Sequence, residues 1–172
     1  MDSSDVLIYD TILRDGTQGE QINFSAVEKL RIAQRLDELG FHYIEGGLPG
    51  SNQKDMRFFE MAKGVSFKHA RLTAFGSTRK PYMRAATCPN IMALLEAEKP
   101  SVAIFGKSCD LHLSDILNVS LDENLEMIGD SIEFLKSKGK GVIFDAEHFF
   151  DGYKNNPACA RQVIESALSA RG

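Results

Sequence analysis

The stretch Ile8-Tyr-Asp-Thr-Ile-Leu-Arg-Asp-Gly-Thr-Gln-Gly-Glu20 follows directly on Val6 and Leu7. The apolar run from Val6 to Tyr9 reads as a buried strand. It gives way to Asp10, Arg14, Asp15 and Gln18, with Gly16 and Gly19 bending the chain between them. An arginine beside an aspartate at the mouth of a strand sets a fixed cation next to a hard oxygen ligand. That pairing suits a site that takes a metal ion together with an anionic oxygen substrate.

Outward from this stretch, short apolar runs alternate with longer amphipathic ones. The spacing predicts strands at Val6–Asp10, His42–Glu45, Arg71–Phe75, Val102–Phe105 and Gly141–Asp145. Helices are predicted near 26–39, 53–63, 88–98, 121–138 and 157–170. Boundary chemistry supports them. Ser25 with Glu28, and Ser120 with Glu123, have the spacing of capping boxes. Pro157 stands where a first helical residue would, behind Asn156 as cap. Gly40, Gly64 and Gly139 follow helical stretches as stops. Leu121, Leu125, Ile128, Ile132 and Leu135 make one apolar face.

Consecutive βα units with near-continuous apolar strands indicate an α/β fold with a parallel sheet. Two architectures compete: an open doubly wound sheet, and a (β/α)₈ barrel, which typically needs about 250 residues. At 172 residues, length alone favours the open sheet. In either, the site lies at the carboxyl ends of the strands. There the first strand brings Asp10, Arg14, Asp15 and Gln18, and the second brings Glu45 before Gly46-Gly47-Leu48-Pro49-Gly50. The third ends in Gly76-Ser77-Thr78-Arg79, and the fourth is followed by Lys107-Ser108-Cys109-Asp110-Leu111-His112. The fifth ends in Asp145-Ala146-Glu147-His148.

Each of these residues has a structural alternative. Asp15 fits a turn through Gly16, and Arg14 fits an ion pair with Asp10 or Glu45. Glu147, His112 and His148 fit solvated strand ends. Ser77, Arg79, Lys80 and Arg84 suit either a phosphate grip or a solvated loop. His42 and His69 fall at strand starts, on the stability face.

Composition narrows the classes. Apolar residues make 43% and charged residues 26%, with net charge -4, the balance of an ordinary globular domain. No basic stripe calls for nucleic acid. No apolar run nears the roughly 20 residues of a membrane span, and the N-terminus lacks signal-peptide features, so the expectation is a cytoplasmic protein without a membrane partner. Cys88, Cys109 and Cys159 are widely spaced and odd in number, which reads as free thiols in a reducing compartment. Neither a Gly-x-Gly-x-x-Gly nor a Walker-type phosphate loop is present.

Asp10-Thr-Ile-Leu-Arg-Asp-Gly-Thr-Gln18 resembles the first-strand signature Asp-Thr-Thr-Leu-Arg-Asp-Gly-x-Gln of a family of metal-dependent barrel enzymes. These make or break carbon–carbon bonds next to acyl-CoA or keto acids: isopropylmalate, homocitrate and citramalate synthases and hydroxymethylglutaryl-CoA lyase. Tyr43 to Asn52, Ala74 to Arg79, Phe105 to His112 and Phe144 to Tyr153 are similar to the citramalate synthase branch. Ile12 stands for the signature's second Thr, and Leu48 and Cys109 stand where that branch has Trp.

The resemblance implies a (β/α)₈ barrel, with residues 1–172 as its N-terminal portion: five βα units, without the remaining barrel or the C-terminal regulatory region. It implies condensation of acetyl-CoA with a 2-oxo acid, pyruvate first among them, in branched-chain amino-acid biosynthesis. Another 2-oxo acid, an acyl-CoA lyase, and a non-catalytic fragment or interaction module are the alternatives. It gives Asp15 a divalent metal (Mg²⁺, Mn²⁺ or Zn²⁺) and makes Arg14 and Glu147 catalytic. Gln18, Glu45 and His112 fall at keto-acid pocket positions. The family's His-x-His has no counterpart here, so an isolated chain is expected to be inactive. The full-length protein is expected to be a homodimer.

Overall fold

The computed structural model describes residues 6–108 and 113–170. Five strands, β1 (Tyr9–Asp10), β2 (Tyr43–Gly47), β3 (Arg71–Ser77), β4 (Ser101–Lys107) and β5 (Gly141–Glu147), form one sheet in the order β1-β2-β3-β4-β5. Every neighbouring pair is parallel. A doubly wound sheet reverses its order at a switch point, whereas a barrel adds each strand beside the last. The unbroken order is that of a barrel, so the fold is a five-unit half-barrel and the open doubly wound alternative is set aside.

Helices α1 (Ala26–Glu38), α2 (Gln53–Met61), α3 (Pro89–Glu96), α4 (Leu121–Ser137), α5 (Phe149–Asn155) and α6 (Pro157–Ser169) fill the connections. Ser25 and Glu28 form the expected reciprocal cap of α1. At α4 only half of the box forms: Ser120 accepts from the Glu123 amide, while the Glu123 carboxylate is drawn to Arg79. Asn156 caps α6 through the Cys159 amide. Helix α5 is absent from the periodicity reading because its seven residues make only about two turns; Phe149, Phe150 and Tyr153 share one side, too short a run to set a helical period. It starts from His148, whose φ of 59° turns the chain sharply out of β5.

The main core lies between the sheet's outer face and the helices. Ile44, Leu72, Ala74, Val102 and Ile104 pack there against Phe58, Phe59, Ile91, Leu94, Ile128 and Leu135. Close approach sets residue choice. A Cβ at Gly46 would collide with the Phe58 and Phe59 rings of α2. Strand alternation turns the other residues inward: Tyr43 and Glu45 on β2, Thr73 and Phe75 on β3, Phe105 and Lys107 on β4, Asp145 and Glu147 on β5. Ring contacts across this face, Tyr9 to Tyr43 at 6.1 Å and Phe75 to Phe105 at 5.5 Å, agree with that alternation.

The expected first strand is shorter than its apolar run. Only Tyr9 and Asp10 join the ladder, and Val6 is 84% exposed. Among the described residues β1 has one neighbour, β2, and none of them covers the run from Val6 to Ile8 as a strand buried on both sides would need. His42 sits at this end, its Nδ1 accepting from the Ile8 amide at 3.0 Å.

Candidate active site at the strand carboxyl ends

The turn after β1 is held by its own backbone. The amides of Arg14, Asp15 and Gly16 all donate to the Thr11 carbonyl, at 3.1, 2.8 and 3.2 Å. Asp10 accepts from the Ile12 amide at 3.0 Å, and Leu13 is wholly buried beneath the turn. Ile12 itself is 45% exposed. This anchoring presents Arg14 and Asp15 on a fixed platform. Burial, against the pull of the Ile12 amide, raises the Asp10 carboxyl above its ordinary range.

Arg14 is the centre of the site. Its Nε donates to Glu45 Oε1 at 2.5 Å, its Nη1 meets Asp15 Oδ1 at 3.1 Å, and its guanidinium lies 4.0 Å from the centre of the Phe75 ring. The Tyr9 hydroxyl donates to the other Glu45 oxygen. Glu45 is 2% exposed and has both oxygens engaged, so it is a clamp on Arg14. Burial raises its carboxyl, while Tyr9 and Arg14 act the other way. Burial and the Glu45 charge push the Tyr9 hydroxyl far up, which keeps it a donor. Nη2 of Arg14 has no partner among the described residues, and the side chain is 19% exposed. The clamp thus leaves Nη2 without a partner among the described residues on a partly exposed side chain, a donor chemically able to bind an oxyanion.

Asp15 is 58% exposed beside Arg14. Gln18 ends a short 3₁₀ turn, exposed, with its amide on the Asp15 carbonyl at 2.9 Å. Across the mouth, Glu147 Oε2 takes the Lys107 ammonium at 2.5 Å, and His148 Nε2 stands 3.8 Å from Glu147 Oε1. His112 and Cys109 lie outside the described residues.

Asp145, absent from the residues the sequence singles out as catalytic or ligand-binding, shares this electrostatic field. Loss of solvent raises its carboxyl, Glu147 and Asp15 add to that, and Arg14 and His148 oppose it. The signal for it was its even spacing from Glu147 along β5. Tyr9 and Phe75 were missed because a tyrosine and a phenylalanine in apolar strands read as core. Arg79 departs from both of its sequence readings. It is 5% exposed and paired with Glu123 at 2.7 Å and Asp130 at 2.8 Å, so its guanidinium is committed to carboxylates on α4 and is not solvated.

A cavity of about 230 Å³ opens beside the platform, lined by Leu48, Ser51, Phe75, Ser77, Asn90 and Phe105. Asn90 donates to the Ser77 hydroxyl at 2.6 Å, leaving a largely apolar wall. Its shape depends on the loop after β2. The Asp55 carboxylate takes the buried Lys29 ammonium at 2.5 Å and the Leu48 amide at 2.9 Å. A Cβ on Gly47, at φ 145°, would meet that carboxylate at 2.5 Å. The sheet register slips at this point, between Glu45 and Gly47.

A divalent cation was tested against these donors. The exposed Asp15 carboxylate fits as one hard oxygen ligand, but such ions take roughly six ligands in all. Among the described residues no group of three His, Cys, Asp or Glu side chains is placed to hold one. Asp15 therefore fits as a partial metal site. Among the same residues no helix is long and apolar enough to cross a membrane. Cys88 and Cys159 are buried, and neither is in a disulfide among the described residues.

The chain is 56% identical over 163 residues to the (R)-citramalate synthase of Aquifex aeolicus, covering 95% of this chain and 31% of that protein. It is 35% identical over 164 residues to the homocitrate synthase AksA of Methanopyrus kandleri, covering 95% of this chain and 38% of that protein. The chain thus spans about a third of the length of these relatives. The HMG-CoA lyase structure from Bacillus subtilis superposes with a TM-score of 0.75 at 16% identity, covering 96% of this chain and 55% of that one, a likeness of fold. Residues 5–170 match the HMGL-like family, and the chain belongs to it.

Proposed function

We propose that this chain is the first five βα units of a citramalate synthase barrel, which condenses acetyl-CoA with pyruvate and hydrolyses the thioester to give citramalate and free coenzyme A. The observation that carries the reading is the clamped Arg14 beside exposed Asp15, in a chain 56% identical to one (R)-citramalate synthase and 35% identical to a homocitrate synthase.

Arg14 directs its free donors at the keto and carboxylate oxygens of the 2-oxo acid and stabilises the alkoxide formed when the acetyl carbon attacks. Glu45 and Tyr9 hold the guanidinium still, so no reorganisation is needed at that moment. Asp15 supplies one oxygen ligand to a divalent ion, Mg²⁺, Mn²⁺ or Zn²⁺, which when bound polarises the keto carbonyl as a Lewis acid. Glu147, steadied by Lys107, moves a proton or positions the acetyl group. Gln18 and His112 border the keto-acid pocket, and Leu48, Phe75 and Phe105 give it an apolar wall. The assembled protein is cytoplasmic and homodimeric in this reading.

A chimera tests it: this chain replaces the matching 163 residues of the Aquifex synthase. Assayed by coenzyme A release with pyruvate, 2-oxoisovalerate and 2-oxoglutarate, the chimera is expected to prefer pyruvate. Preference for a bulkier 2-oxo acid, or net cleavage of an acyl-CoA without condensation, overturns the proposal.

A further inference from the structure

Behind the β2 loop lies a buried ion pair whose side chains do not line the cavity of Leu48, Phe75 and Phe105. Lys29 of α1 is 1% exposed and Asp55 of α2 is 5% exposed. Their contacts converge on three successive residues, where β2 gives way to its loop. The Lys29 ammonium donates to the Gly46 carbonyl at 3.2 Å, and Asp55 Oδ2 accepts from the Leu48 amide at 2.9 Å. Gly47, between them, passes so close to that carboxylate that a Cβ there would meet it at 2.5 Å. The Leu48 carbonyl is held inside the loop, by the amide and hydroxyl of Ser51 at 3.2 and 3.3 Å. The tie from Leu48 to the helices is therefore its amide on Asp55. A buried ion pair is a weak source of stability, since well-packed apolar residues of similar volume do as well. Apolar residues would not supply the two bonds to the β2 backbone.

This brace reaches the site through short links. Glu45, one residue before Gly46, clamps Arg14. Leu48 lines the cavity together with Phe75, whose ring centre lies 4.0 Å from the Arg14 guanidinium. We propose that Asp55 is a positioning residue for substrate selection: through the Leu48 amide it holds the apolar wall in place against the side chain of the 2-oxo acid, so that a longer acid is excluded. Lys29 keeps the carboxylate in register with that amide. The proposal rests on the synthase reading above and deepens it, because it assigns selectivity to a pair placed behind the wall and not in it.

Double variants of the chimera test this. All carry Lys29→Met, so none leaves an unpaired buried charge; the second change is Asp55→Asn, Asp55→Leu or Asp55→Ala. Asparagine keeps an oxygen for the Leu48 amide, and leucine and alanine do not. kcat/KM is measured for pyruvate and for 2-oxobutyrate, which is one methylene longer. The asparagine variant is expected to keep the preference of the unsubstituted chimera. The leucine and alanine variants are expected to lose about tenfold of it, the lower range of what one methylene is worth in a pocket. Hydrogen exchange over residues 46–51 is expected to quicken in those two and not in the asparagine variant. A merely structural role would lower kcat/KM for both acids alike and leave their ratio unchanged. That result, or an unprotected Leu48 amide in the unsubstituted chimera, overturns the inference while the synthase reading stands. An unsubstituted chimera without turnover on either acid overturns the synthase reading, and the inference with it.

Discussion

At the scale of single residues, the site depends on Arg14 being held from several sides. Lysine cannot reproduce the fork that meets Glu45 and Asp15 while lying over Phe75. In the chimera, Arg14→Lys is therefore expected to lower kcat by about 10²–10³, as loss of one oxyanion donor does; an unchanged kcat would remove Arg14 from the chemistry. Asp37 gives a second, purely structural prediction. It accepts from the amides of Lys68, His69 and Ala70 at 2.8, 2.8 and 2.7 Å, tying α1 to the entry of β3. Burial raises its carboxyl, but these amides win and lower it below its ordinary 3.8. A lowered carboxyl stabilises fully above the ordinary value and loses that contribution as pH falls through the folded one. Asp37→Asn should thus cost about 1–3 kcal/mol at pH 7, with the gap to wild type closing below pH 3.8. Urea melts at both pH values check it, and a gap independent of pH contradicts it. The sequence made the strand-end polar residues legible because alternation assigns them a face. It hid the partners of Arg79, which lie 44 and 51 residues away on α4.

At the scale of elements, apolar periodicity located the strands and the long helices, because burial of one face fixes both. It overran at β1, where Val6 to Ile8 find no second neighbour among the described residues, and it passed over α5, whose seven residues are too few to show a helical period. The loop after β2 was legible only as a run of glycines. Its geometry comes from the Lys29–Asp55 pair, buried between α1 and α2. Removing one partner leaves an unpaired buried charge, so Asp55→Leu should cost about 3–5 kcal/mol. Adding Lys29→Met should recover much of that loss, because the charge then goes as well. A double variant as unstable as the single one in denaturant titration would show that the Leu48 amide contact, and not the charge, dominates.

At the scale of the whole molecule, the sheet ends at β1 on one side and β5 on the other, each with one partner strand. Unpaired edges template pairing with other chains. Beside β5 an apolar groove of about 750 Å³ runs past Ile132, Phe144, Ile164 and Leu168. The isolated chain is expected to self-associate, seen as a light-scattering mass above the monomer that rises with concentration. A concentration-independent monomer would contradict that. Sequence periodicity left the half-barrel and the open sheet equally available, since both use the same βα unit; the motif resemblance favoured the barrel, and strand order decides it.

In the proposed synthase, Arg14 and Asp15 act together in the condensing site. Coenzyme A release from acetyl-CoA and pyruvate, with Mg²⁺ or Mn²⁺, tests it most directly on three proteins: the isolated chain, the chimera and the Asp15→Ala chimera. The expected result is background rate for the chain, turnover for the chimera, and loss of that turnover without Asp15. Turnover by the isolated chain, or a fully active Asp15→Ala chimera, would contradict it.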